Sequence, residues 1–213
     1  MFTGIVTAIG TIESVERRGD LRVRIACPFD PDGMAIGASI ACSGVCLTVV
    51  ERGGEASEDG SNTAWFAVDV SGETAARTAQ DQWTEGRRLN LEQALKLGDE
   101  LGGHMVTGHV DAVGRVARAG GEGGSLRLEI LAPESIAPFV AEKGSITVDG
   151  VSLTVNEVSD EDVRFALNII PHTGEVTTLG ALAEGDAVNL EIDVLARYLK
   201  RMQELAPIGP ARS

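Results

Sequence analysis

One segment of this chain is written twice. Residues 37–49 read Gly-Ala-Ser-Ile-Ala-Cys-Ser-Gly-Val-Cys-Leu-Thr-Val, and residues 143–155 read Lys-Gly-Ser-Ile-Thr-Val-Asp-Gly-Val-Ser-Leu-Thr-Val. The copy extends in both directions. Gly4 to Gly10 matches Gly108 to Gly114, and Asn90-Leu-Glu92 matches Asn189-Leu-Glu191. Between these blocks Phe66, Thr74 and Thr78 pair with Phe165, Thr173 and Thr177. The offset is 104 in the first block, 106 at Leu47 and Leu153, and 99 at Asn90 and Asn189. The late drop places seven extra residues in the first copy, within the Gly/Glu/Ser-rich stretch Glu51 to Asn62, which reads as a lengthened hairpin loop. A period near 100 residues means duplicated domains, because solenoid repeats are roughly 20–50 residues long. Two copies of one module imply two copies of one site.

The 213 residues accommodate two such domains. The net charge of −14, with no basic cluster, argues against nucleic acid and anionic membranes as partners. No apolar run approaches the 18 or so residues of a membrane span. The start, Met-Phe-Thr-Gly, lacks the basic and apolar regions of an export signal, and the odd count of three cysteines fits a reducing cytosol, so a cytoplasmic location is expected. Cys42 and Cys46 have the wrong spacing for a zinc knuckle, and no second pair exists.

Short period-2 or β-branched runs dominate. Leu21 to Ile25 and Leu126 to Ile130 alternate apolar with charged residues, as half-buried strands do. Ser39 to Val50 and Ser145 to Val155 each read as two strands broken at Gly44 or Gly150. Trp65 to Val70, Val163 to Ile169 and Val188 to Ile192 are further strands. About six short strands per copy are most economically closed into a barrel, which removes exposed edges. The expected fold is all-β: two duplicated six-stranded Greek-key-like closed β-barrels, over residues 1–97 and 98–192, plus a C-terminal α-helix and tail over 193–213. Thr74 to Gln80 and Thr173 to Leu179 are expected as short helices, with Thr74 and Thr173 available as N-caps. The C-terminal helix begins at the N-cap Asp193 and stops at Pro207, before a frayed tail. Its stripe of Leu195, Tyr198, Leu199, Met202 and Leu205 packs either on the core or on another subunit.

These features together resemble the riboflavin synthase family of the duplicated-barrel, alpha-chain type. The resemblance is carried by Met1-Phe-Thr-Gly-Ile-Val6, Gly37-Ala-Ser-Ile, Cys46-Leu-Thr-Val49 and the join Leu97 to Val110 with His104 and His109. Asp149 to Val155, Ile170-Pro-His-Thr173 and Thr177-Thr-Leu-Gly180 complete it, in the family's order along nearly the whole chain. It implies a transferase: two molecules of 6,7-dimethyl-8-ribityllumazine exchange a four-carbon unit and give riboflavin and 5-amino-6-ribitylamino-pyrimidinedione. It implies no metal or redox cofactor. It also implies a homotrimer through the C-terminal helix with active sites between subunits, and it raises lumazine synthase as a partner. Donor and acceptor are the same compound, so two related pockets suit the chemistry, and facing them together would supply proximity.

Candidate residues follow from where the copies agree and differ. His109 stands where the first copy has Ile5, and a histidine could take a proton from the substrate's 7-methyl group; the alternative is a structural histidine at the domain join, the role expected of His104. Cys46 and Ser152 are equivalent; each either lines a pocket or fills the barrel interior as a small strand residue. With Thr154 they join His109 as candidates for the chemistry, although no base that would activate Cys46 is visible. Thr48 and Ser39 could bond ring carbonyls or ribityl hydroxyls, or serve only as strand formers. Lys143 replaces Gly37 and, by resemblance, reaches a ligand. Two equivalent corners, Asp69-Val70-Ser71-Gly72-Glu73-Thr74 and Asn168-Ile169-Ile170-Pro171-His172-Thr173, suit a polyol or a pyrimidine edge, with Ile170 against the ring. The first lacks the proline that Pro171 supplies to the second, which predicts a looser corner. Leu47, Leu153, Gly108 and Val110 belong to the same blocks. Backbone contacts are expected at Gly4, Ile5 and Val6, and the resemblance places Phe2 beside the ligand. Two other functions compete: a non-catalytic lumazine- or flavin-binding antenna protein, and a flavin-dependent reductase. The reductase requires a Gly-rich strand–helix nucleotide site that is absent here.

Overall fold

The computed structural model describes residues 1–54, 64–79 and 81–205. Twelve strands form two closed antiparallel barrels. The first contains β1 (Ala8–Arg18), β2 (Asp20–Cys27), β3 (Ser39–Cys42), β4 (Val45–Gly53), β5 (Ala64–Val70) and β6 (Arg88–Gln93), in the order β1-β2-β5-β4-β3-β6. The second contains β7 (Ala112–Glu122), β8 (Ser125–Leu131), β9 (Ser145–Val148), β10 (Val151–Ser159), β11 (Arg164–Ile169) and β12 (Ala187–Ile192), in the equivalent order. The short helices α1 (Gly72–Arg77) and α2 (Pro171–Val176) follow the fifth strand of each barrel, and α3 (Val194–Leu205) ends the described chain.

The alternation in sequence becomes alternation in burial. In β4, Val45, Leu47 and Val49 are buried while Cys46 is half-buried and Thr48 exposed. Each barrel encloses its own apolar core, one around Val23, Ile25, Phe66 and Leu91, the other around Leu128, Ile130, Leu167 and Leu190. Closing only six strands demands sharp bending, and the same β-bulges supply it in both copies. They fall after Ile12 and Val49 in the first and after Val116 and Val155 in the second. Gly10 and Gly114 permit close packing at equivalent places: a Cβ on Gly10 would lie 2.6 Å from Leu91 Cδ1, and one on Gly114 would lie 2.7 Å from Leu190 Cδ1.

A pseudo-two-fold axis relates the barrels. Phe2 and Val106, which are equivalent residues, pair with each other in an antiparallel bridge at 2.8 and 3.0 Å. The hairpin turns Ser43-Gly44 and Asp149-Gly150, with positive φ at both residues as a type I′ turn requires, meet back to back. Buried asparagines stitch the joint: Asn90 Nδ2 donates to the Asp149 carbonyl, and Asn189 Nδ2 to the Ser43 carbonyl. Their Oδ1 atoms accept from the backbone N–H groups of Thr178 and Ala79, respectively.

Several boundaries differ from the sequence expectation. The helices begin earlier, at Gly72 and Pro171, and the N-caps are Ser71 and Ile170 rather than Thr74 and Thr173. Thr74 instead donates its backbone N–H to Ser71 Oγ at 3.1 Å. The second helical stretch divides into α2 and a 3₁₀ turn, Thr178–Ala181. Val163 lies outside β11 because its φ of 53° places it in a turn. Glu51 to Gly53 continue strand β4. The rest of the expected loop, at 55–63, lies outside the described residues, as do Gln80 and the tail from Pro207.

Helix α3 is capped by Asp193, whose Oδ1 accepts the Leu195 N–H at 2.9 Å. It docks by its charged side: Arg197 pairs with Asp111 at 2.9 Å, and Lys200 sits 4.5 Å from the centre of the Phe139 ring. Leu195, Tyr198, Leu199, Met202 and Leu205 are each 59–68% exposed, so this stripe is not packed on the chain's own core. No helix among the described residues is long and apolar enough to cross a membrane.

Candidate functional site

The outer face of each barrel carries the same polar row. In the first barrel Ser39 pairs with Thr48, Val49 with Val68, and Asp69 with Arg22. Ser39, Thr48, Asp69 and Arg22 therefore follow one another across four strands. In the second barrel the corresponding row is Ser145, Thr154, Asn168 and Arg127. These residues point away from the core because their sequence neighbours point into it. Cys46 and Ser152 lie two residues along from Thr48 and Thr154 on the same outer faces, so neither fills a barrel interior. Among the described residues the side chains of Ser39, Cys46, Thr48, Thr154 and Asn168 make no hydrogen bond, which leaves them available to a ligand.

Each row is closed at one end by a segment reached from the other repeat. The Cys46 N–H donates to the Gly108 carbonyl, and the Ser152 N–H donates to the Gly4 carbonyl, both at 2.8 Å. Val110 packs against the first core and Val6 against the second. His109 therefore accompanies Cys46 and Thr48, while Ile5 accompanies Ser152 and Thr154. The contacts are so tight that only glycine fits: a Cβ on Gly4 would lie 2.6 Å from Ser152 Cβ, and one on Gly108 would lie 2.6 Å from Cys46 Cβ. Both glycines also have positive φ, 76° and 77°.

Two buried carboxylates hold these segments. Glu92 accepts from the backbone N–H of Thr3 at 2.6 Å, from the Thr3 hydroxyl at 2.8 Å and from the Gly4 N–H at 2.9 Å. Glu191 accepts from the Thr107 N–H and hydroxyl and from the N–H groups of Gly108 and His109, at 2.6–3.1 Å. Burial raises the Glu92 pKa, opposed by the Thr3 and Gly4 donors. Sequence reasoning gave neither glutamate a role. The available signal was a charged residue repeated in an apolar strand, in Asn-Leu-Glu, once per copy.

His109 and His104 are placed differently. His109 is exposed, and its imidazole makes no hydrogen bond among the described residues. His104 takes the structural position: its Nδ1 lies 2.7 Å from Ser152 Oγ and its Nε2 lies 3.2 Å from Thr147 Oγ1. Burial lowers its pKa, opposed by Asp193 and Glu191. A neutral imidazole can donate to one hydroxyl and accept from the other, so His104 orients Ser152. Among the described residues Cys46 has no such partner: residue 104 has no counterpart in the first copy, and Ala41 stands where the second has Thr147.

The two corners have the same shape despite the missing proline. Ser71 has φ −64° and ψ 155°, and Ile170 has φ −66° and ψ 154°. The Ser71 cap replaces the fixed φ of a proline with a hydrogen bond, so the first corner is not opened. Ser71, Gly72 and Glu73 are exposed and Thr74 half-buried; Ile170, Pro171 and His172 are exposed and Thr173 half-buried. Leu47, Val70 and Ile169 turn their side chains into the cores and offer only backbone. Leu153 is partly buried against the second core. Phe2 is fully buried with Ala41 and Val106, so its side chain anchors the N-terminus and presents no surface to a ligand within this chain. Lys143 is exposed at φ 62°, where the first repeat has Gly37 at φ 87°; both donate their N–H at 2.8 Å, to Val155 and Val49. The volume of about 570 Å³ beside Ile5, Phe29, Glu92 and Leu95 borders one of these segments but does not include the polar row.

Two joined barrels, each with an outer polar row closed by the other's loop, make a tandem-barrel protein with two candidate small-molecule sites. The lumazine-binding-domain family model matches residues 3–94 and 107–193, one copy per barrel. Riboflavin synthase of Brucella abortus (strain 2308) is 47% identical over 205 residues, covering 96% of this chain and 98% of that protein. Riboflavin synthase of Mycobacterium tuberculosis (strain ATCC 25618 / H37Rv) is 46% identical over 210 residues, covering 97% and 100%. A solved structure of LumP complexed with 6,7-dimethyl-8-(1'-D-ribityl) lumazine superposes with a TM-score of 0.70 at 26% identity, covering 90% of this chain and 99% of that one. The chain belongs to the riboflavin synthase family of tandem lumazine-binding-domain proteins.

Proposed function

We infer that this chain is a riboflavin-forming transferase. It takes two molecules of 6,7-dimethyl-8-ribityllumazine, moves a four-carbon unit from one to the other, and releases riboflavin and 5-amino-6-(D-ribitylamino)uracil. The observation that carries this reading is the pair of outer rows, alike in Ser39, Thr48, Ser145 and Thr154 but unlike at the reacting end. One row ends at Cys46 and His109, the other at Ser152, His104 and Ile5. Two like pockets bind two like molecules, and unlike ends assign them different fates.

In this mechanism the unpartnered imidazole of His109 removes a proton from the 7-methyl group of the lumazine in the first barrel. Ser152, oriented by His104, and Thr154 present hydroxyls to the lumazine in the second, where Lys143 also reaches it. The corners Asp69 to Thr74 and Asn168 to Thr173 hold the ribityl chains and pyrimidine edges. The two pockets lie on different outer faces, so donor and acceptor meet when barrels of different copies face each other. The exposed stripe of α3 supports assembly of copies through that helix, and a homotrimer is the assembly proposed. Three unbridged cysteines support a cytosolic setting.

The test is incubation of the purified chain with the lumazine and no added cofactor. Riboflavin absorbance should appear. Tight fluorescent binding with no turnover would overturn the enzyme reading in favour of a LumP-like binding protein.

A further inference from the structure

The two rows end on equivalent arginines, Arg22 and Arg127, used in two ways. Arg22 faces Asp69 directly across β2 and β5, and it grips that carboxylate with two bonds: Nε to Oδ1 at 2.6 Å and Nη2 to Oδ2 at 3.1 Å. Glu51 lies farther off, at 3.7 Å. Arg127 faces Asn168 in the equivalent register but makes no bond to it. It turns instead to Glu157, with bonds of 3.1 and 2.7 Å, and to Glu129 and Glu122 at 3.4 and 3.8 Å. Replacing Asp by Asn in the second copy removes the charge that would hold the arginine, and Glu129 on its own strand with Glu157 and Glu122 on other strands take it. Among the described residues the Asn168 side chain is left without a hydrogen-bond partner.

We propose that Arg22 is a positioning residue that fixes Asp69 as an oriented acceptor for the polyol chain of the ligand in the first barrel, making the two pockets unequal in how they hold that chain. The inference rests on the function proposed above. A two-bond grip uses one lone pair of each carboxylate oxygen and leaves the other free for a ligand hydroxyl. Held in place, that carboxylate loses no rotamer freedom when the ligand arrives. The unpartnered hydroxyls of Ser39 and Thr48 continue the row toward the ring-binding end. The amide of Asn168 is neutral and free to rotate, and it makes a weaker and less directed contact.

Arg22 and Arg127 both serve in cross-strand ion pairs, so a merely structural role would make their removal equivalent. The experiment compares Arg22→Met, Asp69→Asn, the Arg22→Met/Asp69→Asn double variant and Arg127→Met. Each is titrated with riboflavin and with the analogue bearing methyl in place of the ribityl chain. Arg22→Met should weaken riboflavin about tenfold, the equivalent of one charge-assisted hydrogen bond, and leave the methyl analogue within about twofold. Asp69→Asn should do the same, and the double variant should lose no more than either single one. Arg127→Met should leave the ratio of the two affinities unchanged. Equal weakening of both flavins by Arg22→Met, or the same change in ratio from Arg127→Met, overturns the proposal. If the unaltered chain binds neither flavin and makes none, the enzyme reading itself fails, and the proposal fails with it.

Discussion

Lys143 occupies a backbone position that its counterpart gives to glycine. Its φ of 62° costs an L-residue about 1 kcal/mol or more, and the side chain is exposed, so it gains nothing from burial. A strained residue kept at a site rim points to contact with something outside the chain. Lys143→Gly should therefore raise the unfolding midpoint by about 2–4 °C while weakening lumazine binding. Calorimetry with and without ligand checks both; unchanged affinity would remove Lys143 from the site. His109→Ala should lower turnover by about 10²-fold or more, as loss of a general base does, with a smaller effect on affinity. An unaltered rate would remove His109 from the mechanism. Both residues break the repeat, which singled out His109, while Lys143 became a candidate through the family resemblance. Sequence comparison missed the pairing of His104 with Ser152, since residue 104 has no counterpart in the first copy and its partners are 43 and 48 residues away.

At the scale of elements, the decisive structures are the two short segments that leave their own barrels. Thr107 to His109 hangs on Glu191, which accepts four hydrogen bonds from it. Glu191→Gln retains one acceptor oxygen and turns an NH₂ group toward donors. It should cost about 2–3 kcal/mol and release the segment that carries His109. Faster hydrogen exchange at the Gly108 and His109 amides, together with lower turnover, is the expected result. Protection unchanged from the parent would show that packing of Val110, not the carboxylate, holds the segment. The strands around these segments were legible from alternation alone. The helix starts were not, because Ser71 and Thr74 are both good caps and only the path of the chain through the corner selects Ser71.

At the scale of the whole molecule, the joint between barrels contains a titratable group that the first repeat lacks. Asp149 stands where the first copy has Ser43, and its Oδ1 accepts the Asn189 N–H at 2.8 Å, as Ser43 Oγ accepts the Asn90 N–H at 3.1 Å. Burial pushes its carboxyl from 3.8 up to about 7, opposed by that N–H and by Arg87 and reinforced by Asp186. The folded chain therefore holds this proton more tightly than the unfolded chain. Its contribution to stability is largest at acid pH and is lost as pH rises from about 4 to about 7. Asp149→Ser should remove that dependence, so the stability gap between parent and variant should shift against the parent by on the order of 2 kcal/mol between pH 5 and pH 8. Chemical denaturation at the two pH values measures it, and a constant gap would rule out Asp149 as the titrating group. The helix α3 belongs to this scale as well. Leu199→Glu places a charge in the exposed stripe; under the proposed assembly through this helix it should yield single chains by sedimentation where the parent sediments as an oligomer, leaving strand content intact. Retention of the assembly would move the interface elsewhere.

The duplication, the all-β class, the closed barrels and the family were all determined by the sequence itself. The first three rest on alternation, turn glycines and residues recurring at offsets of 99 to 106, and the family on motifs that resemble riboflavin synthase along the chain. The candidate residues were legible for the same reason, as points where two copies agree in Thr48 and Thr154 or differ in Ile5 and His109. What the tertiary structure decided was which barrel each of them serves. Segments Gly4 to Val6 and Gly108 to Val110 cross the pseudo-two-fold axis, so His109 stands with Cys46 and Ile5 with Ser152. An offset counted along the chain cannot reveal such a crossing. It is fixed by backbone bonds from Cys46 to Gly108 and from Ser152 to Gly4, between residues far apart in sequence and joined only when the two barrels pack.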